Sequence, residues 1–181
     1  MTGAALTIAV DDKEARRAFA ALQKLMADTT PVMKAIGVGL RRTVHDRFMD
    51  AVDPHGNPWA PLNSGYAAIK RGPGILRGAG VAGGLMGSIT SRAARDSVEV
   101  GSNNVYAAIH QFGGTIVPKN AEHLIFEMAG GLVHATSVTI PARPYLGVGP
   151  LDEQVITETL VDALDRETRK AASSPRRPMA S

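Results

Sequence analysis

Cysteine is absent from all 181 residues. That excludes a disulfide framework, thiolate metal ligands and a thiol nucleophile, and it suits folding in a reducing compartment. Charged residues make up only 20% of the chain and aromatics 4%, with a single tryptophan. No stretch approaches the roughly 18 apolar residues of a membrane span, and no membrane is expected as a partner. Residues 1–12 have neither a basic start nor a long apolar run, so no signal peptide is expected there.

Catalytic patterns are also missing. His110, His123 and His134 stand 13 and 11 residues apart, without the i, i+4 pair or the HExxH that would mark zinc on a helix. There is no GxSxG, and the acidic pairs Asp11-Asp12 and Asp152-Glu153 read as helix caps rather than as general acids and bases. Neither a metal nor a cofactor is expected, and the chain reads as a non-enzyme.

What is present fits one α+β domain over residues 1–165. A hydrophobic content of 44% supports one ordinary core. The net charge of +3 is concentrated at the end, where Arg166, Arg169, Lys170, Arg176 and Arg177 make 166–181 a basic tail that reads as disordered.

In order, residues 6–10 alternate like a strand, and Asp11-Asp12 caps the next element. Ala15, Phe19, Leu22 and Met26 recur at helical spacing and predict an amphipathic helix from Lys13 to about Ala27, facing a core. Thr30-Pro31 then opens a second helix through Val32, Ile36, Leu40, Val44 and Phe48, ending between Met49 and Val52. Its Arg41, Arg42, His45 and Arg47 are expected on a solvated face, with contact to a neighbouring subunit as the alternative. Gly37 and Gly39 inside it mark either close approach by another backbone or tolerated weak points.

Turn chemistry fills 53–58, and Trp59 comes next as an anchor for the loop. Seven glycines among residues 72–87 read as a flexible loop. Gly78, Gly80 and Gly83 formally fit GxGxxG, with Glu99 at a ribose-binding distance, but no strand precedes them and no helix opens as a dinucleotide site requires. Residues 88–91 and 97–101 predict a hairpin, as do 124–128 and 132–135 across Ala129-Gly130-Gly131. Residues 152 to about 171 form a last amphipathic helix.

The central stretch is Tyr106-Ala107-Ala108-Ile109-His110-Gln111-Phe112-Gly113-Gly114, a helical stub in which Gly113 can take the left-handed stop. His110 beside Gln111 reads as a hydrogen-bonded core or interface group. With it belong His55-Gly56-Asn57-Pro58-Trp59-Ala60-Pro61-Leu62 and Ile140-Pro141-Ala142-Arg143-Pro144-Tyr145-Leu146-Gly147. Arg143, fixed between two prolines, needs carbonyl or carboxylate partners, and Asp96 or Glu99 within the chain, or a residue of a neighbour, are the candidates.

In order and spacing these three motifs resemble the phage virion morphogenesis family, the tail-completion or head-tail joining proteins of Mu-like and P2-like phages. The Leu85-Met86-Gly87-Ser88-Ile89 run keeps only the second half of that family's pattern there. The resemblance implies a structural protein at the tail end or head-tail junction of the virion, assembled in the bacterial cytoplasm. It implies a homo-oligomeric ring, six copies being the leading count, in contact with other tail or neck proteins and weakly with DNA in the channel. Trp59, Tyr106, His110, Phe112, Arg143 and Tyr145 are its packing or subunit-interface residues. The expected architecture has two N-terminal helices, mostly antiparallel sheet with long hairpins, and a C-terminal helix packed on the sheet. The alternative is a nucleic-acid-binding module that uses the basic tail.

Overall fold

The computed structural model describes residues 13–78 and 84–173. The strand expected at 6–10, its Asp11-Asp12 cap, the middle of the glycine-rich loop and the last arginines lie outside these residues. The described chain is α+β, with helices at both ends and antiparallel pairs between them.

The first helix, α1, spans Lys13–Ala27, and the second, α2, spans Thr30–Asp50, both where periodicity puts them. The chain enters α2 through an aspartate cap different from the expected one: Thr29 precedes the helix without a side-chain cap, and Asp28 Oδ1 accepts from Thr30 N at 3.0 Å. Ala51 ends α2 in the left-handed conformation, its φ of 56° and ψ of 46° turning the chain toward the tryptophan loop.

The apolar stripe of α2 buries Val32, Ile36, Val44 and Phe48. Gly37 and Gly39 are close-approach glycines. A Cβ on Gly37 would meet Val98 Cγ2 at 2.9 Å, and one on Gly39 would collide with the Val155 side chain. The first glycine lets α2 lie against a hairpin and the second lets it lie against the last helix.

That hairpin is β1, Ile89–Ala93, paired antiparallel with β2, Val98–Ser102, with Ser91 opposite Val100. Before it come two single-turn helices, α3 at Ser64–Ala67, capped by Asn63 Oδ1, and α4 at Gly84–Gly87. The end of the glycine-rich stretch is therefore ordered around Leu85, which is buried at 1% exposure. After β2 comes the stub, α5, at Ala107–Phe112. Among the described residues the antiparallel pairing is divided among three two-stranded sheets. β3, Gly114–Ile116, pairs with β6, Val138–Ile140, while β4, Leu124–Met128, pairs with β5, Gly131–Ala135.

The C-terminal helix, α6, runs over Pro150–Ser173 and packs along α1 and α2; α2 in turn lies on the β1–β2 hairpin. Arg166, Arg169 and Lys170, assigned to the basic tail, lie on this helix, which reaches about as far as its spacing predicts, and Asp162, Asp165 and Glu167 pair with the three in turn. The core face expected of α1 is a correction as well. Phe19 and Met26 are 67% and 72% exposed, and Ala21 is the buried contact, since among the described residues α1 packs chiefly on α6.

Candidate functional site

The centre of the core is Phe48, fully buried, with Trp59 edge-on at 5.5 Å between ring centroids and Tyr145 tilted against it at 5.1 Å. Val44, Leu85 and Ile89 close the cluster. Burying each such side chain contributes about 1.5–3 kcal/mol. Two of the three motifs thus meet on one ring of α2, Ala107 of the stub packs against the cluster they form, and Leu85 and Ile89, at either end of the Leu85-Met86-Gly87-Ser88-Ile89 run, belong to it.

Around this apolar centre, polar groups are used to hold main chain. The indole Nε1 of Trp59 donates to Pro144 O at 2.8 Å. Arg143 donates from Nε to Ala60 O and from a terminal nitrogen to Pro61 O, both at 2.8 Å. Its partners are therefore two carbonyls of the tryptophan loop, and the expected carboxylates Asp96 and Glu99 do not take part. The prolines fix Arg143 extended and point it across to the loop, while Asp96 and Glu99 belong to the exposed part of the β1–β2 hairpin. Burial pulls the guanidinium pKa down from its usual value, which leaves it a cation at neutral pH.

The stub holds the same segment from the other side. Gln111 Oε1 accepts from both Tyr145 N and Leu146 N at 3.0 Å, and its Nε2 donates to Leu146 O at 2.8 Å. His110 O accepts from Arg143 N at 2.8 Å, and the Tyr145 hydroxyl donates to Ala107 O at 3.2 Å. Burial raises the tyrosine pKa, which keeps it in the protonated, donating form.

Gly113 adopts φ 70° with ψ −175°, positive φ but outside the left-handed helical region expected of a helix stop. Close approach explains it, because a Cβ there would lie 2.7 Å from Ala142 N and 3.0 Å from Ile140 O.

A third hold comes from α2. Arg47 donates to Tyr145 O at 3.0 Å and Gly147 O at 3.2 Å, and its other nitrogen pairs with Asp152 Oδ2. Thr43 Oγ1 donates to Asp152 Oδ1 at 2.5 Å, and Gly149 N donates to Oδ2 at 2.8 Å. Arg47, expected on a solvated face, is only 5% exposed, and Asp152 is 2%. The available signal is positional: Thr43 and Arg47 stand one helical turn apart beside Val44 and Phe48, so a polar pair borders the buried stripe.

Of the six residues singled out from sequence, Trp59, Arg143 and Tyr145 are brought together in this clamp. His110 is half-buried, with its ring edge-on to Tyr106 at 5.8 Å and Nδ1 buried without a partner among the described residues. Its hydrogen bond to Arg143 N is made through the carbonyl. Tyr106 is 40% exposed and Phe112 77%, so neither is a core residue of the protomer. Sequence reasoning missed the roles of Gln111 and Arg47; Asp152 caps α6 as expected, accepting from Gly149 N, but its pairing with Arg47 was not foreseen.

The described residues contain no group of acids and histidines able to hold a metal, and no described helix is long and apolar enough to cross a membrane. No solved structure matches the chain. Among known sequences, protein G of Escherichia phage Mu, a candidate capsid assembly protein, is 27% identical over 160 residues, covering 86% of this chain and 91% of its own. The Mu-like prophage FluMu G protein 2 of Haemophilus influenzae is 31% identical over 159 residues, covering 86% and 94%. The phage virion morphogenesis family profile matches residues 10–165, which takes in all three motifs and the clamp they build. The chain therefore belongs to the phage virion morphogenesis family, and its role is structural, in the assembly of a phage particle.

Proposed function

We propose that the protein is a tail-completion or neck component that forms a homo-oligomeric ring at the tail end or head-tail junction, with six copies as the leading count, and that it is not an enzyme. The observation that carries this reading is the contrast between Gln111 and Phe112. Gln111 is locked to main chain by three hydrogen bonds, while the next residue presents an aromatic ring that is 77% exposed. A rigidly held, exposed aromatic is what a protein interface uses as an anchor. Val105, at 97% exposure, Val148 at 61% and Leu151 at 65% are further exposed apolar side chains, next in sequence to the stub and to the Tyr145 segment.

A closed ring needs a heterologous contact, in which two different faces of each copy meet. The clamp serves it by fixing the relative positions of the tryptophan loop, the stub and residues 141–149. The polar side chains of Trp59, Gln111 and Arg143 are committed to carbonyls and amides, which supports scaffolding over catalysis. The ring would sit in the virion, be assembled in the host cytoplasm, and touch other tail or neck proteins as well as the DNA passing through it.

Light scattering behind size exclusion over a concentration series tests the reading, with imaging of any discrete large species. A ring-sized species weakened by Phe112→Ser supports it. Association unaffected by Phe112→Ser and by Val105→Ser removes these residues from the interface.

The nucleic-acid alternative would use the basic tail, in which Arg166, Arg169 and Lys170 pair at the surface of α6 with Asp162, Asp165 and Glu167. Strong duplex binding with a steep salt dependence, lost on deletion of 166–181, would restore it.

A further inference from the structure

Beside the clamp lies a cavity of about 620 Å³, within the size range of ligand sites. Its walls are apolar, with Leu62, Leu85, Phe126, Met128 and Ile140 among them. These come from the tryptophan loop, α4, the β4–β5 hairpin and β6, so the space is formed by the fold as a whole and not by one loop.

Four cations line the same cavity: Lys70, Arg71, Arg77 and Arg143, and no aspartate or glutamate stands among its described lining residues. None of the four is in an ion pair within the described chain. Lys70 Nζ donates to the carbonyls of Arg71, Gly72 and Arg77, at 3.4, 3.2 and 2.7 Å, and Arg143 donates to those of Ala60 and Pro61. Carbonyls satisfy the donors but do not cancel the charges. Like charges gathered around a partly dry apolar space repel one another, and that cost is recovered when an anion enters. His110 also lines it.

We propose that this cavity is the docking site for an apolar peptide segment of a partner protein that carries a carboxylate, which Arg71 and Arg77 receive at its rim. The apolar walls select a peptide over a nucleic acid, whose backbone offers charge without apolar side chains. The absence of acids among the lining residues selects an anionic segment over a neutral one. The inference stands apart from ring formation, since an isolated monomer has the same cavity.

The test uses the full chain with labelled methionine methyls, the Met128 signal being assigned by Met128→Leu, and two probe peptides: acetyl-Leu-Asp-Leu-Val-amide and its Asn twin. The expected result is a saturable shift of the Met128 methyl by the acidic peptide. The Asn twin should bind at least about tenfold more weakly, the loss expected for one charge-assisted hydrogen bond. The double variant Arg71→Glu, Arg77→Glu should lose the same factor while its other methyl signals stay in place. If that variant misfolds, Arg71→Gln, at an exposed position, should still weaken the acidic peptide alone. Equal binding of the two peptides would overturn the proposal, as would a Met128 signal that neither peptide moves because other residues of the chain fill the space. A duplex oligonucleotide that moves the signal where the peptides do not would overturn it in favour of nucleic acid.

Discussion

Arg47 on α2 and Asp152 on α6, 105 residues apart in sequence, form an ion pair whose side chains are only 6% and 3% exposed. The pair is part of a network in which Thr43, Gly149 N, Tyr145 O and Gly147 O satisfy most of the remaining hydrogen-bonding groups. Its geometry joins the helical layer to the Pro141-to-Gly149 segment, the point where assembly motifs meet the helices.

Removing one member should therefore cost far more than removing a surface pair. Asp152→Ala leaves a buried guanidinium without its counter-charge, and a loss of about 3–5 kcal/mol is expected. The exposed pair Arg166 and Asp162 supplies the control, because Asp162→Ala should cost under about 1 kcal/mol. Urea denaturation of both variants gives the comparison. Equal, small losses would mean that the buried pair does not hold the two layers together.

Gln111→Ala is expected to destabilise by about 2–4 kcal/mol, since it leaves Tyr145 N, Leu146 N and Leu146 O without their partner. Gln111→Glu keeps the two acceptor contacts but takes away the donor to Leu146 O, so its loss should be smaller. Chemical denaturation ranks the two, and hydrogen exchange at Tyr145 and Leu146 shows whether the loss is local.

Gly113→Ala combines a positive φ with a Cβ 2.7 Å from Ala142 N. Backbone strain and overpacking together should cost about 3 kcal/mol. Gly56→Ala has φ +85° but open space around the added carbon, so its cost is the strain alone, about 1 kcal/mol. A thermal melt of the pair separates conformation from crowding.

His110 makes stability fall on the acid side. Burial first, and the Arg143 charge second, lower its pKa below 6.5, and Tyr106 is the ring packed against it. The unfolded chain then binds a proton that the folded chain refuses, so this contribution is complete above about pH 6.5 and is lost as pH drops toward the lowered folded value. His110→Gln should flatten the fall in melting temperature between pH 7.5 and 5.5. An unchanged slope would place the acid sensitivity on other groups.

Phe112→Ser should leave stability within about 0.5 kcal/mol, as for an exposed position, while weakening self-association measurably by light scattering. A large loss of stability instead would show that the ring packs within its own chain.

Much of the fold was legible in the sequence because its signals are local. Helical spacing placed α1, α2 and α6 to within a few residues, alternation and turn residues placed the β1–β2 and β4–β5 hairpins, and proline and glycine marked the connections. The three motifs likewise announced that residues around Trp59, His110 and Arg143 belong together and that the chain belongs to a virion assembly family. Partner choice was decided by the tertiary structure alone. Arg143 could satisfy its guanidinium with any carbonyl or carboxylate within reach, and only the path of the tryptophan loop made Ala60 and Pro61 the nearest. Arg47 looked like one more arginine on a polar face until α6 brought Asp152 beside it. Exposure was also a tertiary outcome: Phe19, Met26 and Phe112 carry the same apolar chemistry as Phe48, but whether an apolar stripe is buried depends on whether another layer lies over it, and periodicity along one helix cannot encode that.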